Sequence, residues 1–167
     1  MGAPSGTVTF LFTDIEGSTQ LWEAAPDAMR SALARHDVIL TTAVERRGGY
    51  VFSSAGDGIA AAFQRSADGV AAAVDAQRAL GAEAWPDGAV LRVRMGVHTG
   101  EADERDGNYF GTPLNRAARL MAAAHGGQIL VSDITAGLLE GAPGIALVDR
   151  PEPLRQRVGQ VPLRGVR

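Results

Sequence analysis

Apolar and polar residues follow two different periods along the chain, and the changes between them mark the predicted elements. Residues 7–13 form an apolar run rich in β-branched and aromatic side chains, which predicts a buried strand. From Pro26 onward, apolar positions recur every three or four residues, which predicts a long amphipathic helix over 26–46. The pattern then predicts a hairpin over 50–63, a helix over 66–80, a half-buried strand over 90–100, a helix from Pro113 to about Ala124 and a strand over 126–132.

The order of these elements predicts an α+β fold. Strands alternate with helices but include a hairpin, so we expect a mixed sheet with helices packed on one face. A glycine-bearing loop is expected at 101–111, and a short helix followed by a weak strand at 145–148 completes the pattern. We therefore predict one domain over 7–150, with a tail over 1–6 and an Arg/Pro-rich tail over 151–167.

Composition narrows the function classes. The 167 residues are 46% hydrophobic, which is enough for one substantial core. No run of 18 apolar residues is present to span a membrane, and the N-terminus MGAPSG lacks the pattern of a secretory signal. The absence of cysteine suits a reducing compartment, so a cytoplasmic location is expected. A net charge of −3 without a basic stripe argues against nucleic acid as a partner.

Two aspartates stand where predicted strands end. Asp14 follows the first strand, and Asp57 lies in the Gly56-Asp57-Gly58 turn of the hairpin. In a βαββ unit these strands can be neighbours, and two carboxylates at adjacent strand ends suit Mg²⁺ or Mn²⁺ together with substrate phosphates. The alternative is that Asp57 is an ordinary turn residue and Asp14 a helix N-cap. Spacing alone leaves both interpretations open.

The segment after Asp14 has the composition of a phosphate-binding loop. Gly17, Ser18 and Thr19 offer backbone N–H groups at a helix start, which is a natural site for phosphate. Glu16 precedes them and is included in the candidate triphosphate-binding segment, although a glutamate at this place is also typical of a solvated loop side chain.

Four segments together resemble the catalytic domain of class III nucleotidyl cyclases, the purine adenylyl and guanylyl cyclases, in the form common in actinomycetes. They are FLFTDIEGST, AGDGIAAAF, RMGVHTGE and NYFGTPLNRAARL, in the family's order and spacing over about residues 7–148. The resemblance implies a ferredoxin-like βαββαβ core with an extra C-terminal helix and strand. It also implies a head-to-tail homodimer with two active sites at its interface. Each site would bind two Mg²⁺ or Mn²⁺ ions through Asp14, Asp57 and the backbone carbonyl of Ile15.

A second pair of candidate residues lies on the predicted helix that starts at Pro113. Asn115 and Arg119 are four residues apart and project from one face, which an ordinary polar surface stripe would also do. Matched to the family's N-x-x-x-R pattern, the resemblance implies that Asn115 orients the ribose and that Arg119 stabilises charge on the α-phosphate. In the family this face comes from the other subunit. The neighbouring, buried face of the helix is expected to carry Leu114, Ala118 and Met121.

The chain departs from the family at the positions that would read the base. Adenylyl cyclases of this class use a lysine and an aspartate, and the matching positions here are Ser53 and Asn108. All 16 basic residues are arginine, so no lysine is available elsewhere. A serine and an amide can meet either purine edge, without the charged contacts that enforce a choice. The family's triphosphate-binding lysine also has no match in the C-terminal tail, where Arg155 or Arg157 is a candidate substitute.

The sequence therefore supports two hypotheses for function. The first is a metal-dependent cyclase of low activity that converts ATP, and with weak discrimination GTP, to the 3′,5′-cyclic nucleotide and pyrophosphate. The second is a catalytically poor or inactive module that binds nucleotide or dimerises. His36, His98 and His125 lack metal-ligand spacing and are expected to be structural, and Trp22 and Trp85 are expected to pack.

Overall fold

The computed structural model describes residues 2–54, 56–149 and 163–166, which form a seven-stranded sheet, a two-stranded sheet and five helices. The helices are α1 (Ser18–Ala24), α2 (Pro26–Arg46), α3 (Ser66–Ala82), α4 (Thr112–Ala123) and α5 (Asp133–Leu138). The strands are β1 (Thr7–Ile15), β2 (Tyr50–Ser53), β3 (Ala60–Phe63), β4 (Val93–Glu101), β5 (Asp103–Arg105), β6 (Asn108–Phe110), β7 (Ile129–Ser132), β8 (Leu147–Asp149) and β9 (Leu163–Val166).

The first strand lies at the centre of the ferredoxin-like core. β1 pairs antiparallel with β3 on one side and with β4 on the other, and β2 pairs with β3. The large sheet therefore has the order β2-β3-β1-β4-β7-β9-β8. β7 joins β4 in parallel, because α4 provides the crossover connection that a parallel pair requires. The expected mixed α+β fold is confirmed.

The two faces of the sheet are covered by different helices. Odd-numbered residues of β1, such as Leu11, face the main core, which α2 and α3 complete with residues such as Met29. Even-numbered residues, such as Phe10, face α4 and the β5–β6 hairpin. The expectation that helices pack on one face is therefore wrong, because α4 covers the second face, with Ala117 and Leu120 buried there.

Because α4 covers the second face of the sheet, β4 is more buried than its sequence predicts. This strand is buried on both faces over most of its length, and not half-buried as its alternating sequence predicts. Gly96 permits the close approach of the helix, since a Cβ at this residue would lie 2.6 Å from the Ala117 carbonyl oxygen and closer still to the Met121 backbone nitrogen. The glycine is therefore a packing requirement of α4.

Three strands have no counterpart in the predicted pattern. The expected loop over 101–111 contains the β5–β6 hairpin, whose turn places Asp106 and Gly107 in the left-handed region, with φ of 52° and 80°. β9 lies in the expected C-terminal tail and pairs with β7 and β8. Its strand conformation depends on these distant partners and not on a local pattern.

The remaining expectations about organisation have mixed outcomes. Trp22 and Trp85 pack against the main core, as expected. Among the described residues, no helix is long and apolar enough to cross a bilayer. The domain limits and the cytoplasmic location stay predictions. Arg155 and Arg157 lie outside the described residues.

Replacing Gly96 by alanine should destabilise the fold, because the new Cβ would meet the backbone of α4. Overpacking of this kind typically costs about 1–3 kcal/mol. Gly81→Ala is the matched control, since a Cβ at this position of α3 meets no atom of the described residues within 4 Å. Urea unfolding should give a lower midpoint for Gly96→Ala and an unchanged or slightly higher midpoint for Gly81→Ala. Equal midpoints would contradict the described contact between α4 and β4.

Candidate active site

The connection between β2 and β3 docks against the end of β1 and brings two carboxylates together. Gly58 lies so close to β1 that a Cβ would overlap the Thr13 carbonyl oxygen. The Ile59 carbonyl accepts a hydrogen bond from the Thr13 N–H at 2.9 Å, and the Ile59 N–H donates to Thr13 Oγ1 at 3.0 Å. These contacts place Asp57 beside Asp14, close enough for its carboxyl to perturb that of Asp14. The two strand ends are therefore neighbours, as the sequence predicts.

An arginine completes this group of charges. Asp14 lies inside β1, which runs to Ile15 and so extends beyond the predicted strand, and it stands opposite Arg94 of β4 in the antiparallel register. Arg94 Nη2 donates to Asp14 Oδ2, and Nη1 donates to the Ala122 carbonyl of α4 at 3.4 Å. Arg94 Nε is buried and has no hydrogen-bond partner among the described residues. Arg94 thus links the Asp14 carboxylate to α4.

The electrostatics of Asp14 favour an additional positive charge. Burial raises the pKa of the Asp14 carboxyl above its ordinary value of 3.8. The Arg94 guanidinium lowers this pKa, the Asp57 carboxyl raises it again, and the net direction is upward. The ionised form of Asp14 is therefore incompletely compensated by its surroundings. A cation that binds between the two carboxylates would supply the missing compensation.

The donor set fits a hard divalent cation. Two carboxylates and a nearby backbone carbonyl are oxygen ligands of the kind that Mg²⁺ and Mn²⁺ prefer, with waters and phosphates completing the shell. Within the described part of the chain, no group of three or more His, Cys, Asp or Glu side chains could hold a metal ion alone. Ile15, the predicted carbonyl ligand, ends β1 and buries its side chain in the main core. The described side chains therefore leave part of a cation's coordination shell to other oxygen ligands.

The segment after β1 begins α1, as the predicted helix start requires. Gly17 is the N-cap in the left-handed conformation, with φ of 66°, and no side chain of the described residues caps the helix. The N–H groups of Ser18 and Thr19 therefore lie in an uncapped first turn, where an anion can accept from them. Glu16 is exposed, and its carboxylate lies against Gly126. This is the environment of a solvated loop side chain.

Asn115 and Arg119 lie together on the exposed side of α4. Both side chains are exposed, and they point away from the side of the helix that packs on the sheet. Among the described residues, no hydrogen bond or ion pair joins either of them to Asp14. The packed side carries Ala117 and Leu120, so the expected buried face is wrong by about one position: Leu114, Ala118 and Met121 are only partly buried. The helix crosses the sheet at Gly96, and this contact fixes which side is covered.

The two predicted base-binding positions lie at one corner of the molecule. Ser53 ends β2 and Asn108 begins β6, and both are exposed. Their strands meet through the neighbouring rings of Phe52 and Tyr109, whose centroids are 5.0 Å apart. The fold therefore brings β2 and β6, the strands that carry these positions, into contact.

The histidines have different environments. His36 is fully buried, with Nδ1 2.9 Å from the Asp37 carboxylate, and His125 is exposed. His98 Nδ1 is hydrogen-bonded to Ser132 Oγ at 2.8 Å. Burial lowers the pKa of His98 to about 4, with a smaller contribution from the Arg116 guanidinium, so this imidazole is neutral near pH 7. An open groove of about 800 Å³ lined by His98 lies at the opposite end of β4 from Arg94.

Arg94 is the site residue that the sequence pattern does not single out. Its position in β4 alternates with apolar residues, so the pattern assigns it only to a polar face. The signal that identifies Arg94 is the antiparallel register between β1 and β4, which places it opposite Asp14. That register is a property of two distant segments.

The family to which the chain belongs is shown by a match over almost its whole length. The family model described as the adenylate and guanylate cyclase catalytic domain matches residues 2–165. The chain therefore belongs to the class III adenylate and guanylate cyclase catalytic domains.

The chain is also similar to several other proteins and to solved structures. An uncharacterised protein of Mycobacterium tuberculosis is 41% identical over 167 residues, which cover 98% of this chain and 53% of that protein. An adenylate cyclase of Lachancea kluyveri is 33% identical over 184 residues, with 94% of this chain and 10% of that protein covered. A structure of adenylate cyclases from Trypanosoma brucei in their monomeric state has a TM-score of 0.90 at 26% identity, covering 99% of this chain and 91% of that one. The chain spans about half the length of the mycobacterial relative.

Replacing Asp14 by asparagine should stabilise the fold at pH 7 without added metal. The pKa of Asp14 is raised on folding, so the ionised carboxylate is disfavoured in the folded state, and asparagine removes this penalty. The advantage should disappear as the pH falls below about 3.8, where the carboxyl is protonated in both states. Thermal unfolding at pH 7 and pH 3.5, with Glu45→Gln as an exposed control on α2, measures the difference. An Asp14→Asn variant that is less stable at pH 7 would show that the pair with Arg94 outweighs burial.

Proposed function

We propose that the chain is a metal-dependent purine nucleotidyl cyclase that converts ATP, and with weak discrimination GTP, to the 3′,5′-cyclic nucleotide and pyrophosphate for signalling. The observation that carries this proposal is the placement of Asp14 and Asp57 together at adjacent strand ends, beside Arg94. Membership of the cyclase family and the likeness to adenylate cyclases support ATP as the substrate.

Asp14, Asp57 and the carbonyl of Ile15 would hold Mg²⁺ or Mn²⁺, with two ions per site. The bound ions would supply positive charge to the triphosphate oxygens and to the attacking hydroxyl. The raised pKa of Asp14 supports this assignment, because it marks a carboxylate that gains from added positive charge.

The triphosphate would be bound by groups on two sides of the carboxylates. Gly17, Ser18 and Thr19 present backbone N–H groups in the uncapped first turn of α1, and Glu16 would lie at the edge of this segment. Arg94 supports the same role from β4, because its guanidinium adds a positive charge beside Asp14 that a phosphate would also meet. The N–H groups at the start of α1 and the Arg94 guanidinium both lie next to Asp14. A phosphate beside Asp14 would therefore lie near neutral and positively charged groups together.

Cyclisation joins the ribose 3′-oxygen to the α-phosphorus and breaks the bond from the α-phosphorus to the oxygen that bridges to the β-phosphorus. Pyrophosphate leaves, and the 3′-hydroxyl proton passes to it or to water, so catalysis is mainly positioning and charge stabilisation. Asn115 has an amide that can orient the ribose, and the Arg119 guanidinium can accommodate charge on the α-phosphate oxygens. Both point outward from α4, away from the sheet that carries Asp14. We infer a head-to-tail homodimer in which these two residues complete the site of the partner subunit.

A second candidate is a cyclase-like module that binds nucleotide or dimerises with little or no turnover. The neutral side chains of Ser53 and Asn108 favour it, because they lack the charged contacts that would hold a purine firmly. Product formation separates the two candidates. The cytoplasmic location stays a prediction.

Purified protein incubated with ATP or GTP and Mn²⁺ should form the cyclic nucleotide, resolved from hydrolysed products by chromatography. Asp14→Ala and Asp57→Ala should each lower the rate by on the order of 100-fold or more, the loss typical of removing one charge-stabilising group. Asp27→Ala is the matched control, since this carboxylate on α2 is 94% exposed. Nucleotide binding without any product from the wild type would instead identify the module. Wild-type turnover in both aspartate variants would exclude the two-aspartate site.

Mixing Asp57→Ala with Arg119→Ala should restore activity that neither variant has alone. In a head-to-tail dimer each homodimer lacks one essential residue in both sites, whereas the heterodimer contains one complete site. Random exchange should therefore give about one quarter of wild-type activity, because half of the dimers are heterodimers with one good site of two. The measurement requires verified subunit exchange, for example by mass spectrometry of differently tagged chains. No recovery after verified exchange would reject the composite site.

A further inference from the structure

The β5–β6 hairpin is fastened to β2 by two direct contacts, which we call the hairpin clamp (Tyr50, Phe52, Gly107 and Tyr109). The Tyr50 hydroxyl donates to the Gly107 carbonyl oxygen at 3.1 Å. The rings of Phe52 and Tyr109 pack edge-on with centroids 5.0 Å apart. Ser53 directly follows Phe52, and Asn108 lies between Gly107 and Tyr109. The clamp therefore flanks both predicted base-binding positions.

The Tyr50 bond acts on the peptide unit that leads into Asn108. The Gly107 carbonyl and the Asn108 N–H belong to the same planar peptide, so fixing one fixes the other. On its other side, Gly107 donates its N–H to the Glu104 carboxylate at 2.7 Å. Gly107 has a φ of 80°, and a Cβ there would overlap the Tyr50 hydroxyl. The orientation of the chain at Asn108 is thus set from β2.

Tyr109 provides the second anchor. Its ring also packs against Phe10 at 5.1 Å, and its hydroxyl donates to the Pro4 carbonyl oxygen at 2.6 Å. Burial raises the pKa of Tyr109 to about 12, with smaller contributions from Glu104 and Tyr50. The hydroxyl is therefore protonated, and able to donate, at neutral pH.

The clamp adjoins the candidate metal site. Phe52 also packs against Phe12, at 6.2 Å between centroids, and Phe12 lies two residues before Asp14 on the same face of β1. The aromatic side chains thus connect the carboxylates to the corner that carries Ser53 and Asn108.

We propose that Tyr50 and Tyr109 are positioning residues for purine selection. By holding the hairpin on β2, they set the separation between Ser53 and Asn108 and so determine which purine edge this pair can meet. The inference rests on the proposed function, because the base-binding roles belong to it.

The test measures purine preference and hairpin opening separately. Binding of 3′-deoxy-ATP and 3′-deoxy-GTP with Mn²⁺, measured by calorimetry, avoids turnover because both probes lack the attacking hydroxyl. Ser53→Lys with Asn108→Asp should raise the preference for the adenine probe by about tenfold or more, since charged hydrogen bonds replace neutral ones. Adding Tyr50→Phe should reduce that preference by about three- to tenfold, the range expected for one neutral hydrogen bond. Tyr109→Leu, which removes the ring that packs on Phe52, should act in the same direction.

Two further measurements distinguish positioning from general loss of stability. Hydrogen exchange at residues 103–110 should be faster in the protein with Tyr50→Phe than in the same protein without this substitution. Thr135→Val is the matched control, because it removes a buried hydroxyl bonded to Thr99 at 2.9 Å and to Ser132 at 3.1 Å, away from the clamp. This control should lower stability and leave the purine preference unchanged.

The other possible results distinguish a failure of this inference from a failure of the proposed function. A preference that neither Tyr50→Phe nor Tyr109→Leu changes would overturn the inference and leave the proposed function intact. An equal loss of preference in Thr135→Val would also overturn it, because general loosening would then explain the effect. If neither probe binds to any variant, the proposed function fails and the inference fails with it, whatever the exchange at the hairpin shows.

Discussion

The candidate site depends on one close contact, that between Gly58 and the backbone of Thr13. Only a residue without Cβ fits there, and the approach lets the Ile59 backbone pair with both the N–H and the hydroxyl of Thr13. Thr13 is buried, so its hydroxyl and the Ile59 N–H would each carry a desolvation cost without this pairing. The contact thus satisfies buried polar groups and at the same time moves a turn aspartate next to a strand aspartate. Without it, Asp57 would be an ordinary turn residue on the surface.

Elements defined by local patterns could be predicted from the sequence, whereas features that depend on pairing could not. The 26–46 helix has the predicted limits, because its apolar period and the proline at its start are local signals. The same reasoning failed for β4, where Arg94, Gly96 and His98 suggest a solvated face. Each is covered for its own reason: an ion pair, the close approach of a helix and a hydrogen bond to Ser132. Alternation in one strand cannot reveal that a distant helix covers it.

Parts of the candidate site likewise have local sequence signals, whereas other parts depend on the pairing of distant segments. Asp14 and Asp57 could be named from strand ends and from motif resemblance, but the contribution of Arg94 requires the register of β1 against β4. The exposed direction of Asn115 and Arg119 follows from the side of α4 that meets Gly96, which the helical period places only approximately. The environment of Asp14 also carries a cost in stability, because a half-buried carboxylate beside another is unfavourable in its ionised form.

The distribution of aromatic residues gives this molecule separate spectroscopic probes for its two faces. The chain contains two tyrosines, and both belong to the contact between the β5–β6 hairpin and β2. Its two tryptophans, Trp22 and Trp85, lie against the main core on the other face of the sheet. Ultraviolet difference absorbance of the phenols therefore reports on the hairpin corner, while indole fluorescence reports on the helical layer of α2 and α3. Movements of the two layers can be followed independently in the unlabelled protein.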